Sequence, residues 1–77
     1  MYARKFKYNQ WTIKLELREN GNFHFVKVIC DEGWYCVNGS LYVNESCVRY
    51  DYPEAIPQGL KRKINEIAHK ILNQLEF

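Results

Sequence analysis

Two apolar segments flank an Asn-Gly pair within residues 11–30, and this arrangement constrains the fold more than any other feature of the chain. The first segment, WTIKLELR, alternates apolar and polar residues, which is typical of a β-strand with one buried face. The pair Asn20-Gly21 favours a two-residue hairpin loop, because a type I′ turn needs positive φ at both central residues. We therefore predict an antiparallel hairpin in which Arg18 pairs with Phe23.

The return strand, FHFVKVIC, is apolar on both of its faces. One set of side chains continues the core face of the first strand and consists of Val26, Val28 and Cys30. The residues that alternate with this set point to the opposite side of the sheet. A strand that is apolar on both sides usually lies inside a sheet or faces a partner.

Further turn signals, the last of them the NES sequence at 44–46, divide the following segment into three more strands. The DEG sequence at 31–33 fits a three-residue hairpin loop whose glycine takes the left-handed conformation. The Asn-Gly pair at 38–39 fits another tight turn, and 47–52 reads as the last strand. We expect an antiparallel sheet over 11–52, with residues 1–8 as an additional strand or a mobile arm.

After Pro57 the apolar period lengthens from two residues to that of a helix. Seven apolar residues then fall within one arc of the helix: Leu60, Ile64, Ile67, Ala68, Ile71, Leu72 and Leu75. Pro57 suits the first helical position because its missing N–H would have no helical partner there. We predict a helix over 57–76 and, over 1–77, a single α+β domain. Its architecture is a four- to five-stranded antiparallel meander with one C-terminal helix packed on one face.

The three cysteines raise the question of a metal site or a disulfide. Zinc sites usually take cysteine pairs two to four residues apart. The four candidate ligands are instead separated by six, six and eleven residues: His24, Cys30, Cys36 and Cys47. Three cysteines also leave one without a partner in any pairing. We therefore expect reduced thiols, no metal and no cofactor.

No motif of a familiar active site occurs in the chain. It has no phosphate-binding glycine loop, nucleophile elbow or HExxH sequence. His69 falls on the polar face of the predicted helix and His24 lies near a hairpin tip, so neither is placed to activate a cysteine. Two carboxylate pairs lie in predicted turns, where such residues are common. We expect no enzymatic activity.

One face of the predicted sheet carries apolar side chains that the helix does not cover. A contiguous apolar patch with a charged rim is typical of an interaction surface, and aromatic residues and arginine are enriched at hot spots. We predict that a partner binds there through seven residues: Phe23, Phe25, Ile29, Tyr35, Tyr42, Arg18 and Lys27. Val37 is predicted on the same face, and Lys14, Glu16 and Arg49 are predicted to extend its rim.

The N-terminal segment offers an alternative explanation of this patch. It contains Tyr2, Phe6 and Tyr8, and these aromatic residues would bury the patch if the segment folded over it. One short strand hides only part of such a surface, so we favour binding of a partner.

The two ends of the chain are basic and its middle is acidic. Residues 1–18 carry a net charge of +4, residues 19–57 of −4 and residues 58–77 of +2. Six basic residues would form a phosphate-contacting patch if the ends meet in space: Arg4, Lys5, Lys7, Lys61, Arg62 and Lys63. Together with bases stacked on sheet aromatics, this patch predicts nucleic-acid binding as an alternative function. The acidic middle and a pI of 8.5 place it second.

The sequence therefore predicts a small, non-enzymatic protein-binding module whose partner is another protein or a second copy of the chain. In size and build the chain resembles short proteins of phages and mobile elements, which include anti-restriction and anti-CRISPR inhibitors. That resemblance implies an inhibitor or regulator that occupies the surface of its partner. No apolar run is long enough to cross a bilayer, and no apolar stretch follows the basic start as in a secretory signal. We expect a cytoplasmic protein without a membrane partner.

Overall fold

The computed structural model describes residues 3–74, which form a five-stranded antiparallel sheet and one long helix. The strands follow one another across the sheet in chain order: β1 Ala3–Tyr8, β2 Trp11–Asn20, β3 Phe23–Asp31, β4 Cys36–Tyr42 and β5 Arg49–Tyr50. A 3-10 turn at Pro53–Ala55 leads into the helix α1, Gln58–Asn73. The predicted α+β architecture, an antiparallel meander with a C-terminal helix packed on it, is confirmed.

Residues 3–8 form an edge strand rather than a mobile arm. β1 pairs with β2 along its whole length, from Ala3 opposite Glu16 to Tyr8 opposite Trp11. The connecting turn places Asn9 at φ 53, in the left-handed region that asparagine enters more readily than most residues.

The hairpin of β2 and β3 has a different loop from the predicted one. The loop consists of residues 21–22, and Arg18 therefore pairs with Phe25. Gly21 has φ 66, whereas Asn22 is not among the described residues with positive φ. This pattern is that of a type II′ turn with glycine at its first central position. The predicted register is wrong by two residues, and because two is an even number the same side chains still face the core.

The hairpin of β3 and β4 differs more strongly. Its loop spans the four residues 32–35, and Cys30 pairs with Val37 instead of the predicted Trp34. This shift of three residues is odd, so it exchanges the two faces of β4. Val37, predicted on the uncovered face, is 1% exposed and belongs to the core.

The Asn-Gly pair at 38–39 lies inside β4 and does not form a turn, so that prediction is wrong. Gly39 pairs with Val28 on one side and with Tyr50 on the other. A Cβ atom at Gly39 would lie 2.9 Å from Cδ1 of Tyr50 and 3.0 Å from the carbonyl oxygen of Arg49. Glycine is therefore required for the close approach of β5.

Fifteen buried residues form the core between the sheet and α1, and all are hydrophobic: Trp11, Ile13, Leu15, Val26, Val28, Cys30, Val37, Leu41, Val48, Ile56, Leu60, Ile64, Ala68, Ile71 and Leu72. None of the buried residues within 3–74 is polar or charged. Ile67 is only half-buried against this core, and Leu75 lies outside the described residues. Burial of each leucine or isoleucine contributes about 1.5–3 kcal/mol, so this interface holds the two layers together.

The helix begins one residue later than predicted. Pro57 precedes it in an extended conformation, and its carbonyl oxygen accepts the first helical hydrogen bond from the N–H of Lys61 at 2.9 Å. The predicted end at residue 76 lies outside the described residues.

Within the described part of the chain, α1 lacks the length and apolar character needed to cross a membrane.

Candidate binding face of the sheet

The side of the sheet turned away from α1, here called the open face, consists of alternate residues of all five strands. Directly opposed residues of neighbouring strands point to the same side, so the register determines which side chains lie there. Its large apolar residues are Phe23, Phe25, Ile29 and Tyr42, and its charged residues are Lys5, Lys7, Lys14, Glu16, Arg18, Lys27, Asp31 and Arg49. None of these residues belongs to the core that α1 covers. Six of the seven predicted binding residues are thus brought onto one surface.

Two aromatic rings form the centre of the apolar part of the open face. Phe25 and Tyr42 are cross-strand partners, and their rings stack with centroids 4.9 Å apart and an interplanar angle of 19°. The backbone N–H of Tyr42 donates to Oε1 of Glu45 at 2.9 Å, which holds this end of β4 in place. Stacked pairs are worth about 0.5–1.5 kcal/mol beyond the area that they bury. The pair is therefore a preformed apolar unit whose outer sides remain available for contact.

The apolar surface continues from this pair toward the adjacent loops. Phe23 and Val43 are each 69% exposed. Together with Tyr42 and His24 they line a shallow cleft of about 410 Å³. Sequence reasoning missed Val43, because it lies just beyond the end of β4, where strand alternation no longer indicates the direction of a side chain.

Ile29 forms a second, separate apolar spot. It lies four residues from Phe25 along β3, about 13 Å at strand spacing. Its neighbours on the open face are Lys14 of β2 and Asn38 of β4, and Lys27 lies between it and the stacked pair. Apolar and basic side chains therefore alternate along this face.

The open face is strongly basic. Its eight charged residues are six cations and two carboxylates, a net charge of four positive on one face of a chain whose total is +2. Glu16 lies between Arg18, at 3.2 Å, and its cross-strand partner Lys27. Arg49 contacts Glu45 at the edge of the face, 3.3 Å away. A surface dominated by one sign of charge attracts partners of the opposite sign and speeds their association.

Tyr35, the seventh predicted binding residue, does not lie on the open face. It belongs to the loop between β3 and β4, and its ring packs edge-on against Trp11 with centroids 5.9 Å apart. Trp11 is a core residue, so Tyr35 is directed toward the layer that contains α1. The physical reason is the four-residue loop, which takes Tyr35 out of the strand alternation on which its prediction rested.

The predicted basic patch is divided between the two sides of the sheet. Arg4 lies on the helix side and lines a groove with Arg62 and Lys63. Nζ of Lys63 lies 5.3 Å from the ring centroid of Phe6, which also places Phe6 on that side. Lys61 lines a different cleft, next to β5.

Lys5 and Lys7 lie instead on the open face, because alternation along β1 turns them away from Arg4. The described aromatic residues of β1, Phe6 and Tyr8, pack against the helix-side core. They therefore do not bury the open face, whereas Tyr2 lies outside the described residues.

The cysteines are dispersed over different environments. Cys30 is buried in the core, and burial raises the pKa of its thiol to about 12. Cys36 points to the open face, where desolvation and the nearby Asp31 raise its pKa. Cys47 is exposed beside β5. Thiols whose pKa is raised are poor nucleophiles at neutral pH.

Both histidines have local hydrogen-bond partners. Nε2 of His69 lies 2.8 Å from the carbonyl oxygen of Ser46, a distance at which this nitrogen donates its proton. Nε2 of His24 lies 3.0 Å from Oε1 of Glu19.

Within residues 3–74, no three histidine, cysteine, aspartate or glutamate side chains are grouped closely enough to hold a metal ion.

Comparisons with protein-family models, with curated proteins and with solved structures find no match for this chain. The interpretation of the open face therefore rests on the residues that form it.

Proposed function

We propose that this protein is a small non-enzymatic binding module whose open face binds an acidic surface of a partner protein. The observation that carries this proposal is the placement of a stacked aromatic pair among six basic side chains on a face that α1 leaves uncovered. The aromatic pair would supply most of the affinity, since a few buried aromatic residues usually dominate an interface. The basic residues would orient the partner and raise its association rate.

A second copy of the chain is the weaker candidate for this partner. Twofold dimers bring the same surface of each subunit together. Pairing two open faces would therefore place one set of six cations against another, and like charges across an interface cost several kcal/mol. An unrelated acidic protein avoids this repulsion.

Occupying an acidic surface of the partner is sufficient for the protein to act as an inhibitor or a regulator. The three free thiols suit the reducing environment of the cytoplasm.

Single-stranded nucleic acid is a second candidate because Lys5 and Lys7 lie on the same face as the aromatic pair. Base recognition on a sheet uses aromatic rings whose faces are available for stacking. Phe25 and Tyr42 stack on each other, so each ring has only one face left for a base. This geometry favours a protein partner, which can contact ring edges and side chains around the pair.

The test is a comparison of variants in affinity capture from nuclease-treated lysate, followed by titration with the purified captured protein. Replacing both Phe25 and Tyr42 by serine should weaken binding by more than about 2 kcal/mol, as expected for hot-spot residues. Trp34→Ser is the matched control, since Trp34 is 92% exposed and belongs to the loop between β3 and β4 rather than to a strand of the open face. Circular dichroism and urea unfolding establish that each variant is folded.

Charge reversal tests the role of the basic side chains, and titration with nucleic acid separates the two classes of partner. Lys14→Glu should weaken binding of an acidic protein, whereas Lys70→Glu on α1 should not. A labelled oligothymidine titrated at several salt concentrations covers the nucleic-acid candidate, whose affinity would fall steeply with salt. Tight oligothymidine binding that requires Phe25 would replace the proposal, and partner binding that survives loss of both rings would refute it.

A further inference from the structure

A second cleft opens at the end of β3 farthest from the β2–β3 loop, and it differs in character from the open face. Its volume is about 470 Å³. Its lining comes from the loop between β3 and β4, from the start of β4 and from the segment that connects β5 to α1: Tyr35, Cys36, Val37, Asp51, Tyr52 and Ala55. Val37 forms its apolar floor, since it belongs to the core.

Two tyrosines contribute aromatic surface to this cleft. Tyr35 is 47% exposed and Tyr52 is 60% exposed. The edge-on contact with Trp11 holds the ring of Tyr35 in position. Exposed aromatic rings in fixed positions offer π-faces to a ligand.

The carboxylate of Asp51 is the charged group of the cleft. Its Oδ1 accepts a hydrogen bond from the backbone N–H of Asn38 at 3.1 Å, while its own backbone N–H donates to the carbonyl oxygen of Asn38 at 2.9 Å. These two bonds fix its position. A carboxylate has about four acceptor sites, so one hydrogen bond leaves capacity for a ligand.

The surroundings of the cleft are acidic. No lysine or arginine occurs in the sequence between Lys27 and Arg49. The adjacent segments add the carboxylates of Glu32 and Glu54, and Asp31 of the open face pairs with Cys36 at the border of the cleft. The local charge therefore favours a cationic ligand and repels the acidic partner proposed for the open face.

We propose that this cleft binds an arginine side chain of a partner protein. A planar guanidinium stacks on aromatic rings and donates two parallel hydrogen bonds to a carboxylate. A neutral apolar group would instead remove the Asp51 carboxylate from water without pairing it, which is unfavourable. The inference does not depend on the function of the open face: Cys36 borders both sites, but none of the aromatic and basic residues proposed to bind on the open face lines the cleft.

The test uses acetyl-Gly-Arg-Gly-amide as the probe and follows the backbone amide signals of the full chain by two-dimensional NMR. The matched control peptide contains citrulline, which has the shape of arginine without its charge. We expect the arginine peptide to shift the amides of residues 35–37 and 51–55 and the citrulline peptide to bind at least about fivefold more weakly, the scale of one exposed cation–π contact. Equal binding of the two peptides, or shifts confined to other residues, would overturn the proposal.

Variants of two lining residues complete the test. Asp51→Asn removes the charge but keeps an oxygen that can accept from Asn38, and Tyr52→Ala removes an exposed ring without touching that hydrogen bond. Each should weaken the arginine peptide by at least about fivefold. Glu54→Gln, which removes a carboxylate outside the lining, should change the affinity by less than about twofold. Unchanged affinity in a folded Tyr52→Ala variant would refute the aromatic contact.

Sedimentation velocity distinguishes the source of the arginine. A wild-type dimer that Asp51→Asn dissociates would mean that a second copy occupies the cleft, and this result would overturn the assignment to a different partner. A monomer whose peptide binding depends on Asp51 supports the proposal.

Discussion

The two faces of β3 carry similar numbers of apolar side chains in opposite circumstances. On the helix side, Val26 and Val28 are fully buried, and no described residue buried there is polar or charged. On the open face, Phe25 and Ile29 are half-buried and alternate with Lys27. Apolar residues on the first face are explained by folding alone, since α1 removes them from water. Those on the second face gain the same benefit only when a partner covers them.

The helix side of the sheet, with the α1 residues that pack on it, is here called the covered face. The largest effect should come from truncating a side chain that is buried there. Ile71 is 1% exposed in the core, and Ile71→Ala should lower the free energy of unfolding by about 2–5 kcal/mol. The matched substitution on the open face, Ile29→Ala, should cost less than about 1.5 kcal/mol because Ile29 already contacts water. Urea denaturation of both variants measures the difference. Equal losses would show that the two faces are buried to the same extent.

Gly39 tests whether the edge of the covered face is as tightly packed as its centre. Gly39→Ala should destabilise the protein by about 1–3 kcal/mol, because the new methyl group would collide with the ring of Tyr50 and the backbone of Arg49. Ser40→Ala, one residue further along on the open face, serves as the control and should cost less than about 0.5 kcal/mol. A Gly39→Ala variant as stable as the wild type would mean that β5 shifts without cost.

The buried thiol of Cys30 makes the covered face sensitive to alkaline pH. Its pKa is raised from 9.0 to about 12 in the folded protein, so the folded state keeps a proton that the unfolded state releases. This stabilisation is complete below pH 9 and is lost as the pH rises from about 9 to about 12. At pH 10 the loss attributable to Cys30 should be about 1–2 kcal/mol. Urea titrations at pH 8 and pH 10 should show a smaller decrease for Cys30→Ala than for the wild type, and identical decreases would contradict the assignment.

The smallest expected effect concerns the aromatic pair of the open face. A double-mutant cycle with Phe25→Ala and Tyr42→Ala should give a coupling energy of about 0.5–1.5 kcal/mol in urea unfolding, as for other stacked pairs. Such a value would mean that the pair is preformed before any partner arrives. Additive effects would indicate that the two rings do not stack in solution.

Local periodicity was sufficient to predict the elements themselves. The alternation of WTIKLELR and the helical period after Pro57 each depend on residues close in sequence, and both report which side of one element is apolar. These signals determined β2, β3, the helix and the covered face of β2 and β3, whereas they divided β4 by a turn that the structure does not contain. They also placed Phe25 on an uncovered surface, because the β2–β3 register error was even. Tyr42 was predicted on the same surface only because two errors cancelled, the odd shift between β3 and β4 and the turn wrongly expected at 38–39.

Tertiary structure alone decided how β4 is aligned. An Asn-Gly pair favours a turn wherever it occurs in a chain, so residues 38–39 by themselves could not reveal that Gly39 lies inside a strand. Glycine is needed there for contact with Tyr50, eleven residues further along. The alignment buries Val37 and Leu41 in the common core, and this gain in stability depends on residues distant in sequence. That choice moved Val37 into the core and left Tyr35 in a loop.

The sequence by itself therefore determined which side chains of a strand share a face. The tertiary structure determined which neighbouring residues those side chains contact. The split of the predicted basic patch has the same cause. Arg4 and Lys5 are neighbours in sequence, but β1 lies at the edge of the sheet and turns alternate residues to opposite sides, so Arg4 joins the helix and Lys5 joins the open face. Net charge along a chain says nothing about this division, because charge is collected on a surface only after the strands have paired.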